Sequence, residues 1–285
     1  MNKKINGFIE LARLDKPIGI YLLLWPSLLG LLLAGIESGS IDYKNYMIVI
    51  LGSVLVRSCG CVINDISDFK IDKLVARTVG RPLATGSITI FEAWIFFIAL
   101  GFLSVALLVF TNTLTLKISL IFALLITLYP LTKRFFPAPQ FILGITFGSG
   151  SLIAYSLQSD IFSPSLAILY LGIVAWIIGF DTLYALEDKD DDIKININST
   201  AILWGNNAIK YAQILHLCFF ASLLLIAVLN QFSFYFLFVF VGQMIIYFYK
   251  KSLIKKLKFL QAFKINNWIG IFAVAGFLFE LFHQA

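Results

Sequence analysis

Nine apolar stretches, each about the length of a membrane-crossing helix, constrain this chain before any other feature does. They fall near 16–36, 43–64, 90–110, 114–132, 139–157, 163–183, 207–230, 232–250 and 265–284. In lipid no water is available to backbone N–H and C=O groups, so each stretch has to satisfy its own as a helix. Two tight pairs, 90–110/114–132 and 207–230/232–250, are each too long for one crossing. They break at Thr111-Asn112-Thr113 and at Asn230-Gln231. The expected fold is therefore all-α and polytopic, nine helices in a single transmembrane domain over 1–285.

Composition closes off the other classes. Hydrophobic residues make up 60% of the 285 and charged residues 13%, where soluble proteins carry about 25% charge. A soluble enzyme, a disordered chain and a disulfide scaffold are excluded. The net charge of +6 does not indicate nucleic acid, because the basic residues form no continuous stripe. Nineteen of the 22 Lys and Arg lie at the N-terminus and in 65–89, 131–138, 184–210 and 250–264. Only Lys44 and Lys117 lie on the alternate connectors, and Arg57 is inside a stretch. The positive-inside rule then predicts the N-terminus in and the C-terminus out, and the expected location is a bacterial inner membrane. The first residues lack an early apolar run and a small-residue cleavage site, so no removed leader is expected. Cys59, Cys61 and Cys218 read as reduced packing residues, and His216 and His283 have no sequence partner for a ligand role.

The acids are unevenly placed. Nine of 16 form two clusters: Asp65, Asp68 and Asp72, then Asp181, Glu187, Asp188, Asp190, Asp191 and Asp192. Each adjoins the predicted cytoplasmic end of a stretch. If the second helix continues past the membrane, Asp65, Asp68 and Asp72 share one face, as do Asp181, Tyr184, Asp188 and Asp192 on the sixth. Like charges stacked on a helix repel, and two such stripes imply a cation between them. Carboxylates with Asn64 are hard oxygen donors suited to Mg²⁺; zinc would require His or Cys. Arg77 and Arg81, Lys133 and Arg134, and Arg13 and Lys16 stand close in sequence to the acids. A magnesium cage ringed by Arg and Lys suits a diphosphate, and an apolar interior suits an isoprenoid tail.

The segments Asn64-Asp65-x-x-Asp68-x-x-x-Asp72 and Asp181-x-x-Tyr184-Ala185-x-x-Asp188-x-x-x-Asp192 resemble the two aspartate-rich signatures of the UbiA superfamily of intramembrane prenyltransferases. Leu14-Asp15-Lys16-Pro17-Ile18-Gly19, Trp25-Pro26, Arg77-Thr78-x-x-Arg81-Pro82, Tyr129-Pro130-x-x-Lys133-Arg134 and Ser199-Thr200-Ala201 are similar to its branch acting on 4-hydroxybenzoate in ubiquinone biosynthesis. The resemblance implies nine helices around a chamber open laterally to lipid, and transfer of a polyprenyl group from polyprenyl diphosphate to 4-hydroxybenzoate. It implies Mg²⁺ held by Asn64, Asp65, Asp68, Asp72, Asp188 and Asp192, with Asp65, Asp68, Asp188 and Asp192 catalytic. Arg13, Arg81 and Lys133 would bind the diphosphate.

The acceptor is expected near Arg57, Tyr129 and Asp181. Arg57 lies within the second stretch, where a charge costs about 2.5–3.5 kcal/mol or more. With Cys61 and Asp65 it runs i, i+4, i+8, on one face and roughly 12 Å deeper than Asp65. That gap suits a diphosphate, an allylic carbon and a benzoate ring in series, leaving the carboxylate at Arg57. The alternative for Arg57 is a pairing with a helix carbonyl or with Asp181, and for Tyr129 a role as an interfacial aromatic. Other readings of the chain are a naphthoate or homogentisate acceptor, a secondary transporter with charges at the bilayer midplane, or a lipid-carrier scaffold.

Overall fold

The computed structural model describes residues 3–40, 42–75 and 77–284. Helices begin where a short polar side chain can take the first orphan N–H groups. A short amphipathic α1 (Lys3–Leu11) precedes α2 (Ile18–Ser38). Asp42 caps α3 (Tyr43–Ser67) through Lys44 N, and Pro82 opens the one-turn α4 (Pro82–Thr85). Thr89 and Glu92 form a reciprocal capping box at α5 (Ile90–Leu107), and Asn112 caps α6 (Thr113–Thr132) through Thr115 N. Then come α7 (Pro139–Ser156), α8 (Pro164–Lys194) capped by Ser163, and the one-turn α9 (Thr200–Leu203). The chain closes with α10 (Ala208–Leu229), α11 (Tyr235–Lys255), α12 (Phe259–Lys264) and α13 (Asn266–Gln284).

Among the described residues, eight segments are long and apolar enough to cross a membrane. A helix also occupies the fifth expected stretch. This is α7, whose Gly144, Thr146, Gly148, Ser149, Gly150 and Ser151 dilute its apolar character. Those small residues serve packing: a Cβ on Gly30 of α2 would fall 2.1 Å from the Ser151 carbonyl oxygen, so the two backbones touch.

One expectation about the aspartate helices needs correction. The second span does not continue as a helix through its acids: α3 ends at Ser67, Asp68 is its C-cap, and Asp72 lies in the turns that follow. The sixth does continue through its acids: it runs 31 residues, as far as Lys194, and carries Asp181, Tyr184, Asp188 and Asp192 on one helix.

α8 is central, packed on α7, α10 and α12, while α2 packs on α3, α7 and α13. Trp176 of α8 and Phe219 of α10 stack at 4.7 Å in the core. α5 and α6 turn Phe91, Ile98, Phe102, Ile121 and Leu124 outward, as lipid-facing helices do. Hydrogen bonds sort the connectors to two ends. Gln158 donates to the Ser40 carbonyl at 2.8 Å, and Ser163 to Glu37 at 2.8 Å. Both aspartate clusters lie at the other end.

Candidate active site

The first cluster converges through a turn and an arginine. The N–H of Asp72 donates to the Asp68 carbonyl at 2.8 Å, closing the chain just beyond α3. Arg81, placed at the start of α4, then reaches back with one nitrogen, Nη1, to Asp65 Oδ1 at 2.9 Å and to both Asp72 oxygens at 3.0 and 2.9 Å. Asp65 is 1% exposed, and a carboxylate so buried needs its charge answered. A second guanidinium does so: Arg13 Nη2 donates to both its oxygens at 2.8 and 2.7 Å. Arg13 stands in the turn after α1 at φ +58°. A left-handed backbone costs a non-glycine residue about 1 kcal/mol or more, and such strain gathers at functional sites.

Lys133, the C-cap of α6, stands 3.8 Å from Asp68. Burial pushes the Asp68 carboxyl above the usual carboxylate range, and Lys133 pulls the other way. Burial also works against the charge on Lys133, but Tyr129, Asp68 and Asp181 outweigh it and hold the ammonium above the ordinary lysine range. The two shift upward for different reasons: burial and the neighbouring Asp72 raise the carboxyl, while three electron-rich neighbours raise the ammonium.

The second cluster joins the first through Arg77. Its Nε and Nη2 donate to the Asp188 oxygens at 2.7 and 2.6 Å, and its guanidinium lies 5.0 Å from the Tyr184 ring centre. Arg134 donates to the Ser67 carbonyl at 2.6 Å, holding the end of α3 against that of α6.

Asp65, Asp68, Asp72, Arg13, Arg81 and Lys133 are thus assembled, with Asp188 held at Arg77. Asn64 and Asp192 make no side-chain hydrogen bond or ion pair among the described residues. No three acidic, His or Cys side chains there close on a common point as metal ligands do; guanidinium groups stand between the carboxylates. The donors are nonetheless all oxygens, without His or Cys, and fit Mg²⁺.

Along α3 towards the bundle interior, Arg57 lies 5.2 Å from the Phe147 ring centre, with its Nε buried and unpartnered. Tyr129 and Asp181 both act electrostatically on Arg57. Gln140 stands beside Asp181, and its Oε1 accepts from Thr200 N at 2.8 Å. The apolar groove of about 360 Å³ between α3 and α5, lined by Leu51, Val54 and Leu107, carries none of these charges.

Residues 23–277 match the UbiA prenyltransferase family. The chain belongs to that family. Similar curated UbiA relatives include the 4-hydroxybenzoate octaprenyltransferases of Saccharophagus degradans and Nitrosomonas europaea. The first is 39% identical over 282 residues, 96% of this chain and 92% of that one. The second is 40% identical over 280 residues, 97% and 95% respectively. The solved UbiA homologue of Aeropyrum pernix K1, in its apo form, superposes with a TM-score of 0.80 at 22% identity, covering 91% of this chain and 97% of that one. The Archaeoglobus fulgidus homologue, solved with GPP and Mg²⁺, gives 0.66 at 17% identity, covering 94% and 99%.

Within this UbiA site, sequence reasoning placed Arg77 beside the acids without a partner and missed Gln140 altogether. The Arg77-Thr78-x-x-Arg81 spacing was the available signal for the first. Gln140, a polar residue just after Pro139 at the start of an apolar stretch, was the signal for the second.

Proposed function

We propose that this chain transfers a polyprenyl group from polyprenyl diphosphate to 4-hydroxybenzoate in a Mg²⁺-dependent reaction, a step of ubiquinone biosynthesis. The observation that carries the reading is the meeting of buried aspartates with Arg13, Arg81 and Lys133 at one end of a bundle with an isolated guanidinium, Arg57, further in. Full-length identity of about 40% to enzymes named for 4-hydroxybenzoate supports the acceptor.

Asn64, Asp65, Asp68, Asp72, Asp188 and Asp192 would hold the metal. When bound, Mg²⁺ neutralises the diphosphate and makes it a leaving group. Arg13, Arg81 and Lys133 exchange their carboxylate partners for diphosphate oxygens and stabilise the charge that develops as the allylic C–O bond breaks. Arg57 takes the acceptor carboxylate as a bidentate pair, and Tyr129 and Asp181 border the ring. The ring carbon ortho to the hydroxyl then attacks the allylic carbon, loses its proton and recovers aromaticity, and pyrophosphate leaves. The site faces the cytoplasm of the bacterial inner membrane, with 1–285 acting as one domain around a chamber that admits the tail from lipid.

Membranes carrying the chain, given Mg²⁺, a polyprenyl diphosphate and ring-labelled 4-hydroxybenzoate, should yield a labelled lipid-soluble product that chelation abolishes. Label transferred from a naphthoate or homogentisate but not from 4-hydroxybenzoate would redirect the acceptor assignment. No transfer to any aromatic would favour transport.

A further inference from the structure

Gly19 sits in the first turn of α2, which follows Pro17. A Cβ built on it would lie 2.6 Å from Arg57 Nε and 2.7 Å from Nη2, far inside contact distance. Its φ is not among the positive ones, so the backbone does not call for glycine there. Glycine is also a poorer helix residue than alanine. The remaining reason for a glycine is space. On its other side the guanidinium meets the Phe147 ring, and Arg57 makes no ion pair among the described residues. The half-buried cation, its Nε buried, is thus clamped between a missing side chain and an aromatic face, with Asp181 within electrostatic reach but not ion-paired to it.

We infer that Gly19 is a specificity-determining positioning residue: lacking a side chain, it opens the slot that seats the Arg57 guanidinium against Phe147, and so fixes where the carboxylate of a planar aromatic acid is held. This gives the end of the Leu14–Gly19 segment a role that neither aspartate cluster explains. It rests on the assignment of Arg57 to the acceptor.

Two mutant cycles test it. In the first, the thermal midpoint of the purified chain in detergent is followed for Gly19→Ala, Arg57→Ala and the double variant. The guanidinium is the free end of a flexible side chain, so Gly19→Ala should lower the midpoint only slightly, and Arg57→Ala should remove even that loss because the group the methyl meets is gone. A loss that persists in the double variant overturns the inference. If Gly19→Ala does not accumulate in membranes, the double variant should accumulate, and its failure to do so overturns the inference equally.

In the second cycle, Gly19→Ala should raise KM for 4-hydroxybenzoate about tenfold or more, with KM for the polyprenyl diphosphate within about twofold. In an Arg57→Lys background it should add little. If Arg57→Lys raises the acceptor KM and Gly19→Ala does not, the role of Gly19 falls and the Arg57 assignment stands. If the midpoints couple but neither variant moves the acceptor KM, the Arg57 assignment falls and takes the specificity role with it.

Discussion

Arg77 grips Asp188 with two parallel hydrogen bonds of 2.7 and 2.6 Å across 111 positions of sequence. Within the first cluster Arg81 bridges instead, holding Asp65 and Asp72 together through one nitrogen. Asp65, Asp72 and Asp188 are therefore already neutralised from within, and any cation or diphosphate that engages them has to exchange partners with guanidinium groups. Neither half of the exchange is favourable alone: a metal leaves the arginines unpaired, and a diphosphate leaves the carboxylates unpaired.

Magnesium and diphosphate should consequently bind with positive coupling. Calorimetric titration of Mg²⁺ alone into the purified chain is expected to show weak binding, tightened about tenfold or more by saturating inorganic pyrophosphate. Arg77→Gln frees Asp188 and should strengthen Mg²⁺ binding alone while weakening that of pyrophosphate. Mg²⁺ affinity indifferent both to pyrophosphate and to Arg77→Gln would mean that the arginines do not compete for the carboxylates.

Asp65→Asn and Asp188→Asn should each cut prenyl transfer by about a hundredfold or more. Their stabilities should separate. Asp65 is buried and answers two guanidinium groups, so its amide leaves Arg13 without a counter-charge and Arg81 with Asp72 alone, and should lower the thermal midpoint. Asp188 is half-buried with one arginine that reaches solvent, and its amide should fold like the parent. Near-normal turnover in either variant at saturating Mg²⁺ would remove that residue from the metal set.

The spans were legible because lipid leaves a chain no choice: an apolar run of that length has to be a helix. The acids were legible as two clusters because their spacing is local. What joins them was not. Asp72 meets Asp65 through a turn and Arg81, not along a helix face, since α3 stops at Ser67. Gln140 reaches Asp181 from another helix, and Gly19 matters only for the space it leaves beside Arg57. Contacts between residues distant in sequence carry no periodic signal.

The connectors near Asp42 and Asp160 share one end of the bundle with Glu37 and Gln158, and both aspartate clusters occupy the other. With Cys218 replaced, single cysteines near Asp42 or Asp160 should react with an impermeant reagent applied from outside. Those near Asp72 or Asp190 should react only after permeabilisation. Outside labelling of the latter pair would reverse the orientation expected from the basic residues.

A polar knot is buried in the helical core. Asn266, at the start of α13, donates its amide to the Phe263 carbonyl at 2.8 Å, which fixes which way its oxygen points. That one oxygen accepts from Trp176 Nε1 at 3.1 Å and Lys250 Nζ at 3.1 Å, and lies 3.0 Å from His216 Nε2. It ties α8, α10 and α11 to α13. Asn266→Leu would strand these buried groups at once, each costing about 1–3 kcal/mol when left unsatisfied, and should lower the thermal midpoint sharply. Lys250→Met should behave oppositely. It removes a fully buried amino group that has no carboxylate beside it among the described residues, keeps the length of the side chain, and leaves Asn266 two other neighbours. Desolvating an ammonium is expensive, so the midpoint should hold or rise. Thermal unfolding of both variants in detergent decides the matter, and a Lys250→Met protein as unstable as Asn266→Leu would show that the charge itself holds these helices together.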